Sequence, residues 1–354
     1  MNQTNHNPWL HRFAVLTAFA TLGLIGLGGL VTSHGAGMAV PDWPTSYGYN
    51  MFALPFKFWK GGAFFEHTHR LLASGVGLLT TVLAVWLWRK ESRRWLRWLG
   101  VATFVGVVLQ GVLGGLRVVW FKDEIGIFHA ALAQMFFVLV SAIALFTSRW
   151  WAERRAPSRL EADFQRAEAV LGAPLRRLFL FTTVLIFLQL ILGATMRHQH
   201  AGLAIPDFPL AHGKLWPDTS AAAVAGYNAA RFELSGENPI TAFQIWLQLA
   251  HRFGATVILG AVAACAWRAR SFGTPRTVSA RHENGWQRAE AVLGVPLRRL
   301  TLFWLGLVLV QAGLGAWTIW SNKAADVATT HVVVGALSLV TGALLTIIAV
   351  RFSE

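Results

Sequence analysis

Besides His67, which is the first residue of one such stretch, four of the twelve histidines lie within long apolar stretches of the chain, where an isolated polar ring is costly. A neutral imidazole is a good metal ligand. Two imidazoles at one height on neighbouring helices can bind one haem iron from its two faces. The pattern therefore favours haem ligation, with other metals or hydrogen bonds between helices as the alternatives. The four histidines are His69, His129, His251 and His331.

Charged and amide side chains flank two of these histidines. Arg70 and Arg252 each follow a histidine directly, and an arginine just inside a membrane requires a partner. We predict that they bind haem propionates, with lipid phosphate as the alternative partner. Glu66 lies three residues before His69 on the same helix face, so we predict that it exchanges protons at this site. The alternative role is a charge that stabilises a helix N-terminus. The second half carries Gln248 at the matching position, and an amide does not accept a proton.

Membrane helices must carry these residues. The chain has 354 residues, 55% of them hydrophobic and only 14% charged, with a mean hydropathy of +0.47, whereas soluble domains carry about 25% charged residues. Eight apolar stretches of about 20 residues predict an all-α polytopic membrane protein with eight transmembrane helices. We expect these helices at 13–32, 67–88, 98–116, 125–148, 178–196, 243–267, 300–320 and 327–350.

The net charge of +14 has a topological explanation. Lys and Arg concentrate in the loops on the side of the membrane that holds both predicted termini. This bias predicts cytoplasmic termini and no nucleic-acid partner. Each of the four histidines is 17 to 20 residues from the first basic residue at the cytoplasmic end of its helix. That spacing corresponds to roughly 26–30 Å, so we predict that the histidines lie near the outer face. Cys265 is the only cysteine, which excludes an intramolecular disulfide or an iron–sulfur cluster.

Internal repeats divide the chain into two halves. A Leu-Gly-[Gly/Ala] motif closes each odd-numbered predicted helix, and the external loop segments 35–44 and 200–209 match each other. Because four spans return the chain to its starting side, we predict two pseudo-symmetric four-helix bundles that are parallel repeats. We expect residues 1–150 to form the first bundle and residues 178–354 the second, with a cytoplasmic linker at 151–177.

Two cytoplasmic segments, 165–178 and 287–300, are nearly identical in sequence. Each predicts a short helix at the membrane interface that a Gly-x-Pro sequence stops before the next span. A docking site for a partner protein is the alternative. The Pro-Asp-aromatic-Pro sequences of the two external loops predict turns.

The sequence Glu66-His67-Thr68-His69-Arg70, together with His129, His251-Arg252 and His331 on eight spans, resembles the haem A synthase family. These membrane enzymes oxidise haem O during cytochrome oxidase assembly, and the resemblance covers nearly the whole chain. It implies an oxidoreductase that converts the methyl group on pyrrole ring D of haem O to a formyl group by successive hydroxylations. The product is haem A.

The resemblance also implies a role for each half. It implies that His251 and His331 bind a haem b in the second half, while His69 and His129 bind the substrate haem O in the first. It further implies that Glu66 is required for activity. Some members of the family have a cysteine pair in the first external loop. Residues 33–66 have no cysteine here, which argues against a mechanism that requires that pair.

The expected partners are haem O, membrane lipid and an unidentified electron acceptor, with the haem O synthase as a candidate supplier of substrate. We expect the protein in a bacterial cytoplasmic membrane, and a homo-oligomer is left open. The main alternative function is a dihaem cytochrome b that carries electrons without modifying haem. A transporter is a second alternative, but it predicts polar residues at the membrane midplane, whereas the polar residues here cluster near one surface.

Overall fold

The computed structural model describes residues 7–153, 161–235, 239–270 and 283–351. In this part of the chain the regular structure is helical, apart from two isolated bridges in loops, which confirms the expected all-α class. Eight of its helices are long and apolar enough to cross a membrane. They are α1 (Pro8–Ser33), α2 (Gly62–Lys90), α3 (Arg94–Trp120), α4 (Asp123–Thr147), α6 (Glu161–His198), α8 (Ala242–Ala269), α9 (Glu283–Trp320) and α10 (Ala325–Arg351).

The outer surface of these helices is apolar. Phe19, Leu78 and Phe253 are 69%, 66% and 73% exposed, which a water-soluble protein would avoid for so many large side chains. Lipid is the environment that suits such a surface, because it contacts apolar side chains at no cost. The chain is therefore an integral membrane protein, as its composition predicts.

The helices pack in two sets of four. In the first set α1 contacts α2, α2 contacts α3, α3 contacts α4, and α4 closes the ring on α1. In the second set α6, α8, α9 and α10 pack in the same cyclic order. The sets meet where α1 packs against α10 and α4 packs against both α6 and α10. This packing is compatible with the two four-helix bundles predicted from the repeats. The predicted bounds of the halves stay a prediction, and part of the 151–177 linker lies outside the described residues.

The predicted stop at Gly-x-Pro is wrong. Helix α6 continues through Pro174 into its membrane span, and α9 likewise runs unbroken from Glu283 to Trp320 through Pro296. A proline removes one N–H donor from a helix, but its neighbours still bond within the helix. Since backbone groups that enter lipid must be bonded internally, continuing the helix is preferable to ending it there.

The two loops that the sequence predicts to be external share one turn. Asp42 accepts hydrogen bonds from the backbone N–H groups of Tyr47 and Gly48, and Asp207 accepts the same pair of bonds from His212 and Gly213. Burial acts to raise the pKa of Asp42, but these bonds and one from a nearby threonine outweigh it, so the pKa lies below its usual value. The predicted loop turns are thus present in both halves.

Two short helices complete the described chain: α5 (Arg149–Glu153) on the side of the predicted cytoplasmic linker, and α7 (Ala221–Ser235) in the second external loop. Asn228 of α7 exchanges two hydrogen bonds with the backbone of Ile240. The first loop has 3-10 turns in place of a comparable helix. Helix α7 was not predicted from the sequence, and it distinguishes the second half from the first.

Candidate functional site

A cavity of about 1630 Å³ lies among the membrane helices and is lined by residues of both halves. Cavities for one small molecule usually measure about 300–1,000 Å³, so this space is large enough for more than one bulky ligand. All of the residues singled out from the sequence line it: Glu66, His69, Arg70, His129, His251, Arg252 and His331.

Each of the four histidine rings packs against a glycine of the preceding membrane helix. A Cβ atom built on Gly28 would lie 3.1 Å from Cε1 of His69, closer than almost all real Cβ contacts. The other three pairs repeat this contact at 3.3, 3.2 and 3.3 Å; they are Gly114 with His129, Gly193 with His251, and Gly315 with His331. These glycines are the central residues of the Leu-Gly-[Gly/Ala] motifs. The motif therefore makes room for a histidine ring in every helical hairpin.

The two second-half histidines lie close together in the lining of the cavity. The ring centroids of His251 and His331 are 6.4 Å apart, with an angle of 61° between the ring planes. Two imidazoles that bind one metal ion from opposite sides, each with a nitrogen about 2 Å from it, have centroids roughly 6 Å apart. The spacing thus fits one iron between the two rings.

One ring nitrogen of each of the four histidines lacks a protein partner. Nδ1 of His69, His129, His251 and His331 is buried without a hydrogen-bond partner, although buried polar groups are normally bonded. In the described residues no group of three or more His, Cys, Asp or Glu side chains could hold a metal ion. A haem iron needs only two axial protein ligands because the porphyrin supplies the other four, so the paired histidines fit a haem better than a bare metal ion.

Glutamines support three of the four histidines. Nε2 of Gln110 donates to the backbone carbonyl of His129, and Nε2 of Gln189 donates to that of His251, at 2.7 Å. The amide of Gln311 lies 3.3 Å from the ring of His331. The matching position in α1 is a leucine. The repeated Gln-x-x-Leu-Gly sequence thus joins the two helices of a hairpin at the height of the histidine.

Glu66 is buried and anchored. Its Oε2 accepts a hydrogen bond from the backbone N–H of Val40 at 2.9 Å, and its Oε1 accepts one from Nη2 of Arg70 at 2.7 Å. Gln248 makes the equivalent loop contact in the second half, where it accepts from the N–H of Ile205 at 2.6 Å. Glu66 therefore holds the external loop against α2 in addition to lining the cavity. This contact was not predicted from the sequence.

Arg70 and Arg252 hold the same loops. Arg70 donates to the backbone carbonyls of Asp42 and Val40, at 2.7 and 3.0 Å. Arg252 donates to the carbonyl of Asp207 at 2.7 Å, and its Nε is buried without a partner. Both arginines therefore have protein partners before any ligand binds. Their predicted binding of propionates stays a prediction.

Two further arginines line the cavity, and the sequence analysis used them only for topology. Arg117 lies against the backbone of the first external loop, and its Nε is buried without a partner. Arg197 donates to the carbonyl of Gly29 at 3.0 Å and to the hydroxyl of Ser33 at 2.6 Å, so it joins the two halves. Aligning the repeats would have revealed both, because each arginine is matched by a threonine in the other half.

A histidine also joins the halves. His198 at the end of α6 lies 3.6 Å from the carboxylate of Asp123 at the start of α4. A Cβ atom on Gly126 would lie 2.4 Å from the His198 ring, so only glycine fits there. The contact sits beside the cavity and links the first half to the second.

Comparisons with known proteins agree with this architecture. A family model described as cytochrome oxidase assembly protein matches residues 11–343. A protein of Geobacillus kaustophilus named Heme A synthase is 27% identical over 72% of this chain and 70% of its own length. Proteins with the same name from Shouchella clausii and Lysinibacillus sphaericus are 27% and 25% identical, over 61% and 75% of this chain and 68% and 76% of their own. The family match spans almost the whole sequence and both histidine pairs, so the chain belongs to the COX15-CtaA family of cytochrome oxidase assembly proteins.

Proposed function

We propose that this protein is a haem A synthase that oxidises the methyl group on pyrrole ring D of haem O to a formyl group. The observation that carries the proposal is one membrane cavity lined by two pairs of histidines, in a chain whose relatives are named Heme A synthase. One pair is enough for a haem protein. Two pairs provide a site for a resident haem and a site for a haem substrate.

We assign the two sites to the two halves. His251 and His331 bind haem b, and the 6.4 Å between their ring centroids supports this assignment. His69 and His129 bind haem O, and the glycine contacts that they share with the second pair support a similar ligand. When bound, haem b supplies one-electron transfer. The first half then has to orient the substrate and accept the protons that the substrate releases.

Glu66 is the residue that we propose to move protons. With water as the source of the oxygen, oxidation of a methyl group to a formyl group releases four protons and four electrons, so a base must stand beside the substrate. Glu66 lines the cavity one helical turn from His69, and it is a carboxylate where the second half has Gln248. Its hydrogen bonds to Val40 and Arg70 fix its position before substrate binds.

Positive charge at the cavity suits the acidic propionates of a haem. We propose that Arg70 and Arg252 bind these groups while the loop carbonyls hold their side chains in place. The unpartnered Nε of Arg252 is one donor that remains for such a ligand. Arg117 and Arg197 line the same cavity and add positive charge. Bidentate pairing of arginine with carboxylates makes it well suited to this task.

We propose that both termini are cytoplasmic and that the haem sites lie near the outer face of a bacterial cytoplasmic membrane. The excess of Lys and Arg at one set of helix ends supports this orientation. We infer that haem O reaches the first half from a haem O synthase in the membrane. We also infer that an electron acceptor receives the electrons removed from the methyl group.

The proposal can be tested by expressing the chain in cells that make haem O but no haem A. The full-length protein is purified in detergent, and its haems are extracted and identified by mass. A haem A synthase yields haem A together with haem b, whereas a dihaem electron carrier yields no haem A. Detection of haem b alone, with haem O present in the membrane, would therefore contradict the proposal.

A further inference from the structure

The two halves differ in how far the cavity extends from the histidines along the helices, in the direction of the α2 C-terminus. On α2, the face that carries His69 continues through Ala73, Gly77 and Thr81, and all of them line the cavity. On α8, the matching residues after His251 are Ala255, Leu259 and Ala263. The cavity lining includes the first two of these but not Ala263. These positions match because α2 and α8 keep one offset, from His69 to His251, along their length.

The opposite wall shows the same difference. On α3 the cavity is lined by Gly111, Val108 and Phe104, while on α9 only Ala312 of the three matching positions lines it. Thr81 is twelve residues below His69, or about 18 Å along the helix at roughly 1.5 Å per residue. In the second half the lining of α8 ends at Leu259, about 12 Å below its histidine. The first half therefore has a longer groove between α2 and α3.

The groove has apolar walls and free space. The hydroxyl of Thr81 donates to the carbonyl of Gly77 at 2.8 Å, so it presents its methyl group rather than an unpaired donor. A Cβ atom built on Gly77 would meet no atom within 4 Å. The matching position of the second half carries a leucine, Leu259, which lines the cavity. The groove begins at His69 and suits a long, flexible, apolar chain.

We propose that this groove binds the isoprenoid side chain of haem O, and that Gly77 determines specificity for the prenylated haem. The inference rests on the proposed function. Haem O differs from haem b in one substituent, since a long isoprenoid chain replaces a vinyl group. The difference between the two grooves matches this difference between the two ligands. Leu259 puts a four-carbon side chain beside His251, at the position where Gly77 has none beside His69.

The discrimination is steric. A prenyl chain gains little from the groove through the hydrophobic effect, because lipid is equally apolar. The groove instead provides space. A side chain placed there would overlap with the prenyl chain and weaken its binding, just as overpacking destabilises a protein core. A chain held in the groove also fixes the rotation of the macrocycle about the axis between His69 and His129. Oxidation of one particular methyl group requires such a fixed orientation.

The test compares two leucine substitutions on α2. Gly77→Leu fills the groove, while Gly75→Leu is the matched control, because a Cβ at Gly75 also meets no atom within 4 Å and this residue does not line the cavity. Both full-length variants are expressed with haem O present and purified. The haem b, haem O and haem A bound per protein are then measured by extraction. Bound haem b reports whether the second half is folded.

We expect Gly77→Leu to keep haem b and to lose haem O and haem A together by about tenfold, which equals about 1.4 kcal/mol of binding free energy. Gly75→Leu should retain all of them. A Gly77→Leu variant with the haem O and haem A content of the control would overturn the inference.

The reciprocal change, Leu259→Gly, keeps the proposal testable if Gly77→Leu does not fold. It opens the second groove, so we expect part of the haem b to be replaced by haem O. An unchanged ratio of haem O to haem b in this variant would also count against the groove. Failure of the proposed function has a different signature, because wild-type protein would then contain neither haem O nor haem A.

Discussion

Replacing Glu66 by Gln separates its two roles, as a loop anchor and as a base. The second half already shows that an amide can serve as the anchor, because Gln248 accepts from the N–H of Ile205 at 2.6 Å. Glutamine at position 66 can make the same bond to Val40. The substitution therefore removes the charge and the capacity to accept a proton while it leaves the loop contact in place.

The structural cost of this change is modest. Glu66 and Arg70 form a buried ion pair, with side chains that are 5% and 9% exposed. Removing one partner of a buried pair outright costs about 3–5 kcal/mol. Here Arg70 keeps its loop carbonyls, and the amide oxygen of glutamine still accepts a hydrogen bond, so we expect a cost of about 1–3 kcal/mol. Glu66→Ala has no side-chain oxygen to accept from Arg70 or from the N–H of Val40, so it should destabilise the first half more.

The catalytic cost is much larger. A positioned general base contributes about 10²- to 10⁴-fold to a rate. We therefore expect Glu66→Gln to bind both haems at near-normal levels and to form haem A at least about 100-fold more slowly than wild type. The assay measures haem A formed over time by purified protein supplied with haem O, together with haem b and haem O content. Glu66→Ala is the comparison, in which haem O content should also fall.

Two results would refute this reasoning about Glu66. If Glu66→Gln makes haem A at near-normal rate, the carboxylate is only an anchor for the external loop. If Glu66→Gln loses haem O to the same extent as Glu66→Ala, the charge is needed for binding, and the slow rate says nothing about proton transfer. Only intact haem content with a slow reaction supports a catalytic role.

Further predictions concern the histidine sites and one loop. Gly193→Ala should displace the neighbouring ring and lower haem b content, whereas Gly260→Ala, where a Cβ meets no atom within 4 Å, should not; the haem spectrum distinguishes them. His251→Ala should abolish the haem b spectrum, and His69→Ala should retain it while haem O content falls. Burial lowers the pKa of His212, so its protonation opposes folding: stability is full above about pH 6.5 and falls as the pH drops through the lowered pKa. His212→Phe should therefore reduce the loss of thermal stability between about pH 7 and about pH 5, and an unchanged loss would assign that loss to other groups.

The helices and the histidines were predictable from the sequence for a simple physical reason. A membrane helix needs about 20 apolar residues, and this requirement is local, so hydropathy alone locates all eight spans to within a few residues. A histidine inside such a span is conspicuous because polar residues are rare there. The pairing of each histidine with a glycine was not predictable from either feature. It depends on how two helices pack, although the repeated Leu-Gly motif marked the positions.

The loop contacts of Glu66 and Arg70 could not be predicted. Glu66 and Val40 are 26 residues apart and belong to different elements, and nothing local in the sequence specifies their hydrogen bond. The same applies to Arg197, which reaches across to α1. Pro174 is the opposite case, in which a local signal gives the wrong prediction. The local rule for proline predicts a helix end there, but the membrane environment favours a continuous helix.

The differences between the two halves are more informative than their similarities. Shared features such as the glycine contacts and the loop turns support any pair of bound haems, and a dihaem electron carrier would need all of them. Such a carrier would gain nothing from having a carboxylate at position 66, or an open groove below His69, in only one of its halves. Both features lie in the first half, beside the same histidine, and one of them suits proton transfer while the other suits a prenyl chain. Because these are separate requirements of one reaction, their presence in the same half favours a substrate site there and an electron-transfer site in the other.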